Sequence, residues 1–380
     1  MRIGKRRISK RLVLIVAPVV LVLLGATGAF AATGSFTDIS GNTHEASIVK
    51  EAARGITTGY PDGTFRPDQP VTRGQMMTFL DRFNTGITCT ECHEAGTKLV
   101  SRQAQMKQRS VHGLGEAFEE GDRNACAGCH GTEGAKARIE ARLLPHDPSV
   151  AGVENVSPMG CRTCHDTHTT YTEADWSLTG DEKPTKLEYT AGTFDKGAGN
   201  LCVECHQIRN PKPAVTNGQI VVTSARYGTH YGTQAQMLLG EGGLGSVTGS
   251  ESVHYSLVAD SCVTCHMGEE RNHTMEPGVV NRNVTPNTVA RCVSCHAGLT
   301  TLDRNGVQTD VQAMLDEAKA LLIAAGIMNA ANDLAIPGTY PEAMANAFWN
   351  YKVVSYDASK GVHNPTYAKA LLQYTIDTLK

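Results

Sequence analysis

Six short clusters punctuate the chain, and each holds two cysteines three positions apart with a histidine directly after the second. They are Cys89-Cys92-His93, Cys126-Cys129-His130, Cys161-Cys164-His165, Cys202-Cys205-His206, Cys262-Cys265-His266 and Cys292-Cys295-His296, and together they use all 12 cysteines. Two thiols at this spacing can add across the vinyl groups on one edge of a haem. The adjacent imidazole then lies under the ring and ligates the iron, so Cys-x-x-Cys-His is the signal for c-type attachment. Disulfides suit an exported chain, and zinc suits paired Cys-x-x-Cys units. Neither alternative requires a histidine after every second cysteine. The expected cofactors are therefore six haem c groups, with His93, His130, His165, His206, His266 and His296 as proximal ligands.

The second axial position separates an electron carrier from an enzyme. A second histidine closes the iron, while an open position admits substrate. The chain has 14 histidines. Six are proximal, and His44 reads as a structural residue of the N-terminal segment. Seven remain for six irons. His112, His168, His230, His254, His273 and His363 are the distal candidates, and His146, in Pro145-His146-Asp147-Pro148, is the spare candidate. His168, three residues after His165, is the other residue that could be spare. All lie in polar, turn-rich settings.

The elements that must position these groups are sparse. Aromatic residues make up only 6% of the chain and glycine contributes 38 residues, which is a lean core for 380 residues. Covalent macrocycles would replace side chains as packing material. The formal charge of −3 leaves no basic footprint for nucleic acid. Residues 1–31 read as an export signal, with a basic start from Arg2 to Arg11, an apolar run from Leu12 to Leu24 and a cleavage pattern at Ala29-Phe30-Ala31. The alternative is an uncleaved anchor, since the stretch is about long enough to span a bilayer.

Residues 36–84 read as helix, loop, helix. The first helix is expected over about Thr43–Arg54, with Ile48, Ala52 and Ile56 inward. The second starts at Thr72, where Thr72 and Gln75 form a capping box, and carries an apolar stripe of Met76, Phe79, Leu80 and Phe83. Residues 87–310 are loop-rich, with a short strand expected over Gln219–Ser224. The clusters start 37, 35, 41, 60 and 30 residues apart, so this is no solenoid with a fixed period. Residues 311–380 turn helical. Val311, Met314, Leu315, Ala318, Leu321, Leu322 and Ala325 form one stripe. A second helix follows Pro341, with Met344, Ala347, Phe348 and Tyr351 on one face. A third begins at Pro365, with Tyr367, Leu371 and Tyr374 inward. The expected fold is mainly α with extensive loops, organised around six covalent haems, with a helical C-terminal cap.

The run Gly59-Tyr60-Pro61-Asp62-Gly63-Thr64-Phe65-Arg66-Pro67-Asp68, followed by Val71-Thr72-Arg73, resembles the S-layer homology domain. That resemblance covers about 48 residues and implies docking to a bacterial cell-wall polymer, with Arg73 in contact with it. From Cys89 onward the chain looks like exported multihaem cytochromes c. Phe348-x-Asn350-Tyr351 and Asp357-x-Ser359-x-Gly361-x-His363-Asn364-Pro365 are similar to the helical end of the ammonia-forming nitrite reductase and octahaem reductase group. In that group the histidine matching His363 is a distal ligand. Many of those reductases attach the catalytic haem through a motif ending in lysine, whereas all six motifs here end in histidine.

The expected function is electron transfer outside the cytoplasm, at the cell wall or surface, toward redox partner proteins or an extracellular acceptor. The alternative is a multihaem reductase of nitrite, hydroxylamine or a sulfur oxyanion with one open haem. Homo-oligomers or filaments, in which a histidine of one subunit closes a haem of the next, are a further possibility.

Overall fold

The computed structural model describes residues 36–53, 56–86, 98–115, 117–170, 173–180, 182–268, 271–277 and 289–380. The export signal and the first cluster, Cys89-Cys92-His93, lie outside the described residues. The chain divides into two compact units. One comprises Met1–Cys89 with His168–Asp175, and the other Thr90–Thr167 with Trp176–Lys380. Among the described residues no helix is long and apolar enough to cross a membrane.

In the first unit, α1 (Glu45–Ala53) and α2 (Arg73–Gly86) flank the turn-rich loop. The predicted capping box is present: Thr72 N–H donates to Gln75 Oε1 at 2.9 Å, and Gln75 N–H to Thr72 Oγ1 at 3.2 Å. Asp38 ties the loop to the start of the unit by accepting from the backbone of Phe65 and Arg66 at 2.8 and 2.7 Å. Gly59 has φ +64°, and a Cβ there would lie 2.3 Å from the Phe36 ring, so both conformation and contact demand glycine. Helix α1 begins two residues later than expected, because Asn42 Oδ1 caps His44 N–H at 2.8 Å in a turn. Ile48 is buried as expected. The expected apolar stripe of α2 is instead largely in solvent, with Met76, Leu80 and Phe83 49%, 51% and 50% exposed. Among the described residues of this unit, the helix–loop–helix has no second layer to cover it.

The second unit contains α3 (Lys98–Gln108), α4 (Thr132–Glu140), α5 (Gln234–Leu239), α6 (Val307–Ala324), α7 (Glu342–Asp357) and α8 (Pro365–Leu379). Single helical turns and loops connect them. The main core lies where α6, α7 and α8 meet a small antiparallel ribbon, β3 (Gln219–Val222) against β4 (Gly338–Pro341), in the register Ile220↔Tyr340. A shorter pair, β1 (Thr185–Lys186) and β2 (Thr193–Phe194), covers a second apolar cluster around Leu187, Phe194 and Leu238. The sheet content thus exceeds the single expected strand, which ends at Val222 rather than Ser224.

Helix α7 is buried on nearly all sides from Ala345 to Val354. It is sandwiched between α8 on one side and α5 with the ribbon on the other. Fully buried Phe348, Leu371 and Leu372 each contribute about 1.5–3 kcal/mol relative to exposure. On α6, Val311, Ala318 and Leu322 are buried as the stripe predicts, and Ala325, the C-cap residue, is half-buried. Helix α8 starts with Pro365 in its first turn, and the Asn364 side chain accepts from Tyr367 N–H at 3.2 Å. The last residue of α7 and its link to α8, residues 357–364, thereby become a fixed turn that carries His363.

Candidate metal centres

Each described Cys-x-x-Cys-His cluster folds into one helical turn. The histidine N–H donates to the carbonyl of the first cysteine at 3.0 Å for His130, 2.9 Å for His165 and His206, and 2.8 Å for His296. The run Cys262–His266 is itself α-helical. Positions i, i+3 and i+4 of a helix share a face. Both thiols and the imidazole of each cluster therefore sit on one side of the turn, as a two-point attachment with an axial ligand requires. The ten described cysteines form no disulfide.

Opposite each of these five histidines stands a second imidazole. The ring centres are 6.4 Å apart for His130 and His230, 6.1 Å for His165 and His273, and 5.9 Å for His206 and His112. For His266 and His363 the spacing is 6.4 Å, and for His296 and His254 it is 6.1 Å. Two imidazole nitrogens each about 2 Å from a metal, plus the distance from each nitrogen to its own ring centre, put ring centres roughly 6 Å apart. The spacing of all five pairs fits a first-row metal between two axial histidines.

The ring tautomers fit as well. A carbonyl can only accept, so a histidine bonded through Nδ1 to a carbonyl carries its proton there and leaves the Nε2 lone pair free. His130 Nδ1 donates to Ala117 O (2.6 Å), His165 to Trp176 O (2.9 Å) and His266 to Met275 O (2.9 Å). His254 donates to Val362 O (2.8 Å), His273 to Arg271 O (2.7 Å) and His206 to Gln234 Oε1 (3.1 Å). His363 is different: its Nδ1 donates to the Asp357 carboxylate at 2.6 Å. Burial holds His112, His230 and His273 down at about 4, so these rings are neutral at pH 7, the form that ligates metal. For His363 burial pulls the same way, but Asp357 outweighs it and the net shift is upward. His230 sits in the left-handed region with φ +62°, a conformation that histidine tolerates better than most residues. Arg209 Nη1 lies 3.0 Å from His230 Nε2 and 3.5 Å from His130 Nε2, so a metal on those nitrogens would displace this guanidinium.

His146 faces no proximal histidine among the described residues. Its Nδ1 is 2.9 Å from Glu188 Oε2, and its Nε2 is 3.3 Å from Arg209 Nη2. His168, also left-handed at φ +62°, belongs to the other compact unit.

The clusters are fastened to one another. Thr132, just after the second cluster, hydrogen-bonds Thr163 inside the third at 2.8 Å. Arg138 has no exposed surface. It donates to Gly128 O of the second cluster at 2.6 Å, and to Glu204 Oε2 and Glu204 O of the fourth, both at 2.8 Å. Gly199, just ahead of the fourth cluster, lets Asp260 O approach to where a Cβ would be 2.7 Å away. Arg291 lies over Gly268 and donates to Met267 O at 3.2 Å, joining the fifth cluster to the sixth. These contacts link the third cluster to the second, the second to the fourth, the fourth to the fifth and the fifth to the sixth. Sequence reasoning missed Arg138, because nothing in the spacing of one buried arginine marks it.

Residues 35–77 match the family model of the S-layer homology domain. The "Cell surface protein" of Thermoanaerobacter kivui is 43% identical over 74 residues, which is 19% of this chain and 10% of that protein. The "C-type polyheme cytochrome OmcC" of Geobacter sulfurreducens is 24% identical over 243 residues, 51% of this chain and 31% of that one. Among solved structures, the outer cell wall cytochrome OcwA is 21% identical with a TM-score of 0.41, over 74% of this chain and 48% of its own. An undecaheme cytochrome from the S-layer of Carboxydothermus ferrireducens is 18% identical with a TM-score of 0.44, over 80% and 47%. The chain spans less than a third of the length of these curated relatives. The chain thus carries an S-layer homology domain ahead of a region similar to a multihaem cytochrome, and the location this supports is the cell surface and cell wall.

Proposed function

We propose that this chain moves electrons at the cell surface through six covalently bound c-type haems, each closed by two axial histidines. The observation that carries the proposal is the set of five facing imidazole pairs, each beside two thiols on one helical turn. When bound, the haems would supply reversible one-electron iron chemistry. The chain's own residues fix ring orientation through the Nδ1 hydrogen bonds and hold neighbouring clusters close through Arg138, Thr132 and Arg291. The contacts support a row in which electrons pass between adjacent centres. For the sixth centre, at Cys89-Cys92-His93, His168 is the remaining ligand by elimination, and His146 is the spare, occupied by Glu188 and Arg209.

The S-layer homology domain would hold this row at the cell-wall polymer, with Arg73 at the contact. The acceptor would be a redox partner protein or an extracellular one. The test is a haem count by mass on the purified, exported protein, with electron paramagnetic resonance of the oxidised form. Six haems, all low-spin, are expected. A colourless protein would defeat the proposal. One high-spin centre would favour the reductase reading, with an open iron and a small oxidised substrate such as nitrite.

A further inference from the structure

The pattern of Nδ1 acceptors singles out one centre, an inference that rests on the haem reading above. Of the eight paired imidazoles with a defined Nδ1 partner, seven meet a neutral oxygen: five backbone carbonyls, the Gln234 amide and the Ser110 hydroxyl. Among the paired rings only His363 donates to a carboxylate; His146, which meets Glu188, belongs to no pair. We propose that Asp357 makes the His266–His363 iron the lowest-potential centre of the described row.

The Asp357 side chain has no exposed surface. Its other carboxylate oxygen is bonded by the Ser359 hydroxyl, and Ser359 Oγ in turn accepts from His363 N–H at 3.2 Å. Among the described residues the ion-pair partner of this carboxylate is His363, and no lysine or arginine is paired with it. A buried charge without a counter-charge is costly. Ferric iron between two neutral imidazoles supplies positive charge, and adding one electron removes it. The carboxylate therefore stabilises the oxidised state, and a shared proton makes His363 a more basic ligand, which works in the same direction. The centre lies between the fourth and sixth clusters, so the device places a low-potential step inside the row rather than at an end.

The experiment is a spectroelectrochemical titration of the full-length haem-loaded protein and its Asp357→Asn variant. The amide keeps an acceptor for His363 Nδ1–H and removes only the charge, so low-spin ligation should persist. One one-electron component should become easier to reduce by about tenfold, or about 59 mV, with the others unmoved. Ser359→Ala removes the competing hydroxyl donor and should shift the same component the opposite way. Superimposable titrations would overturn the inference. Loss of one low-spin signal in Asp357→Asn would also overturn it, since the carboxylate would then hold the ligand rather than tune the iron. Absence of haem from the wild-type protein would instead refute the haem reading itself.

Discussion

Arg138 shows how a single side chain sets the spacing of two centres. Its guanidinium is fully buried and joins the backbone of one cluster to the backbone and carboxylate of another. Breaking a buried pair by removing one partner costs about 3–5 kcal/mol, because the other charge is left uncompensated. Arg138→Ala should therefore lower the melting temperature steeply, while Arg138→Met combined with Glu204→Gln should recover much of the loss. A double-mutant cycle on thermal unfolding of the haem-loaded protein measures this coupling. At the distal positions, His254→Ala should convert one haem to high spin and leave the rest low-spin, read by electron paramagnetic resonance. The sequence supplied these histidines by elimination, since a count of irons against histidines names candidates but no partners. Four of the five pairs join residues 94 to 108 positions apart, and no local pattern encodes a contact over such a distance.

The turn between α7 and α8 does at the level of elements what Arg138 does for a pair of clusters. Residues 357–364 present His363 to the fifth cluster and offer Val362 O to His254 Nδ1. They also receive Gln234 Nε2 at Asp357 O (3.2 Å), while the other end of Gln234 holds His206. Three centres are thus oriented by one turn, and the helices that pin it are the reason for a C-terminal helical region. Asn364 closes the turn by capping α8 and donating to Ser250 O at 2.9 Å. Asn364→Ala should cost about 1–2 kcal/mol in thermal stability and broaden the low-spin signals of the affected centres. The helices were legible because apolar residues recur with helical period and Asn364-Pro365 marks a start. The ribbon was only half legible, since Gly338-Thr339-Tyr340-Pro341 has no alternation of apolar and polar residues and becomes a strand only against β3.

Helix α7 also carries a cost that periodicity hides. Lys352 is buried, with Nζ donating to Asp333 O at 2.6 Å, and burial lowers its pKa from 10.5 to about 8. The unfolded chain then holds more protons than the folded one between pH 8 and 10.5, so stability should rise with pH across that window. Lys352→Met should abolish this rise, which melting temperatures measured from pH 7 to 10.5 would show.

At the scale of the molecule, the proposed function joins a wall-binding module to a row of redox centres, and it predicts that each can be disabled without the other. Arg73→Ala should release the protein from purified cell walls in a sedimentation assay while its haem count stays unchanged. The second unit is itself uneven. Among the described residues, 307–380 contains as many buried apolar residues as 98–306, a stretch nearly three times as long. Ordering each residue costs about 1–2 kcal/mol of backbone entropy, and side-chain burial between residues 98 and 306 is too thin to offset it. On the proposed function, haem supplies the missing apolar surface there. The lean aromatic content made this legible before any fold was known, although it could not show that the last 74 residues build a core of their own with β3 and α5. Protein expressed without haem attachment should therefore keep slow amide hydrogen exchange in α6, α7 and α8 and exchange rapidly through the five described clusters. Uniform protection along the whole chain would show instead that the polypeptide alone specifies the arrangement of its histidine pairs.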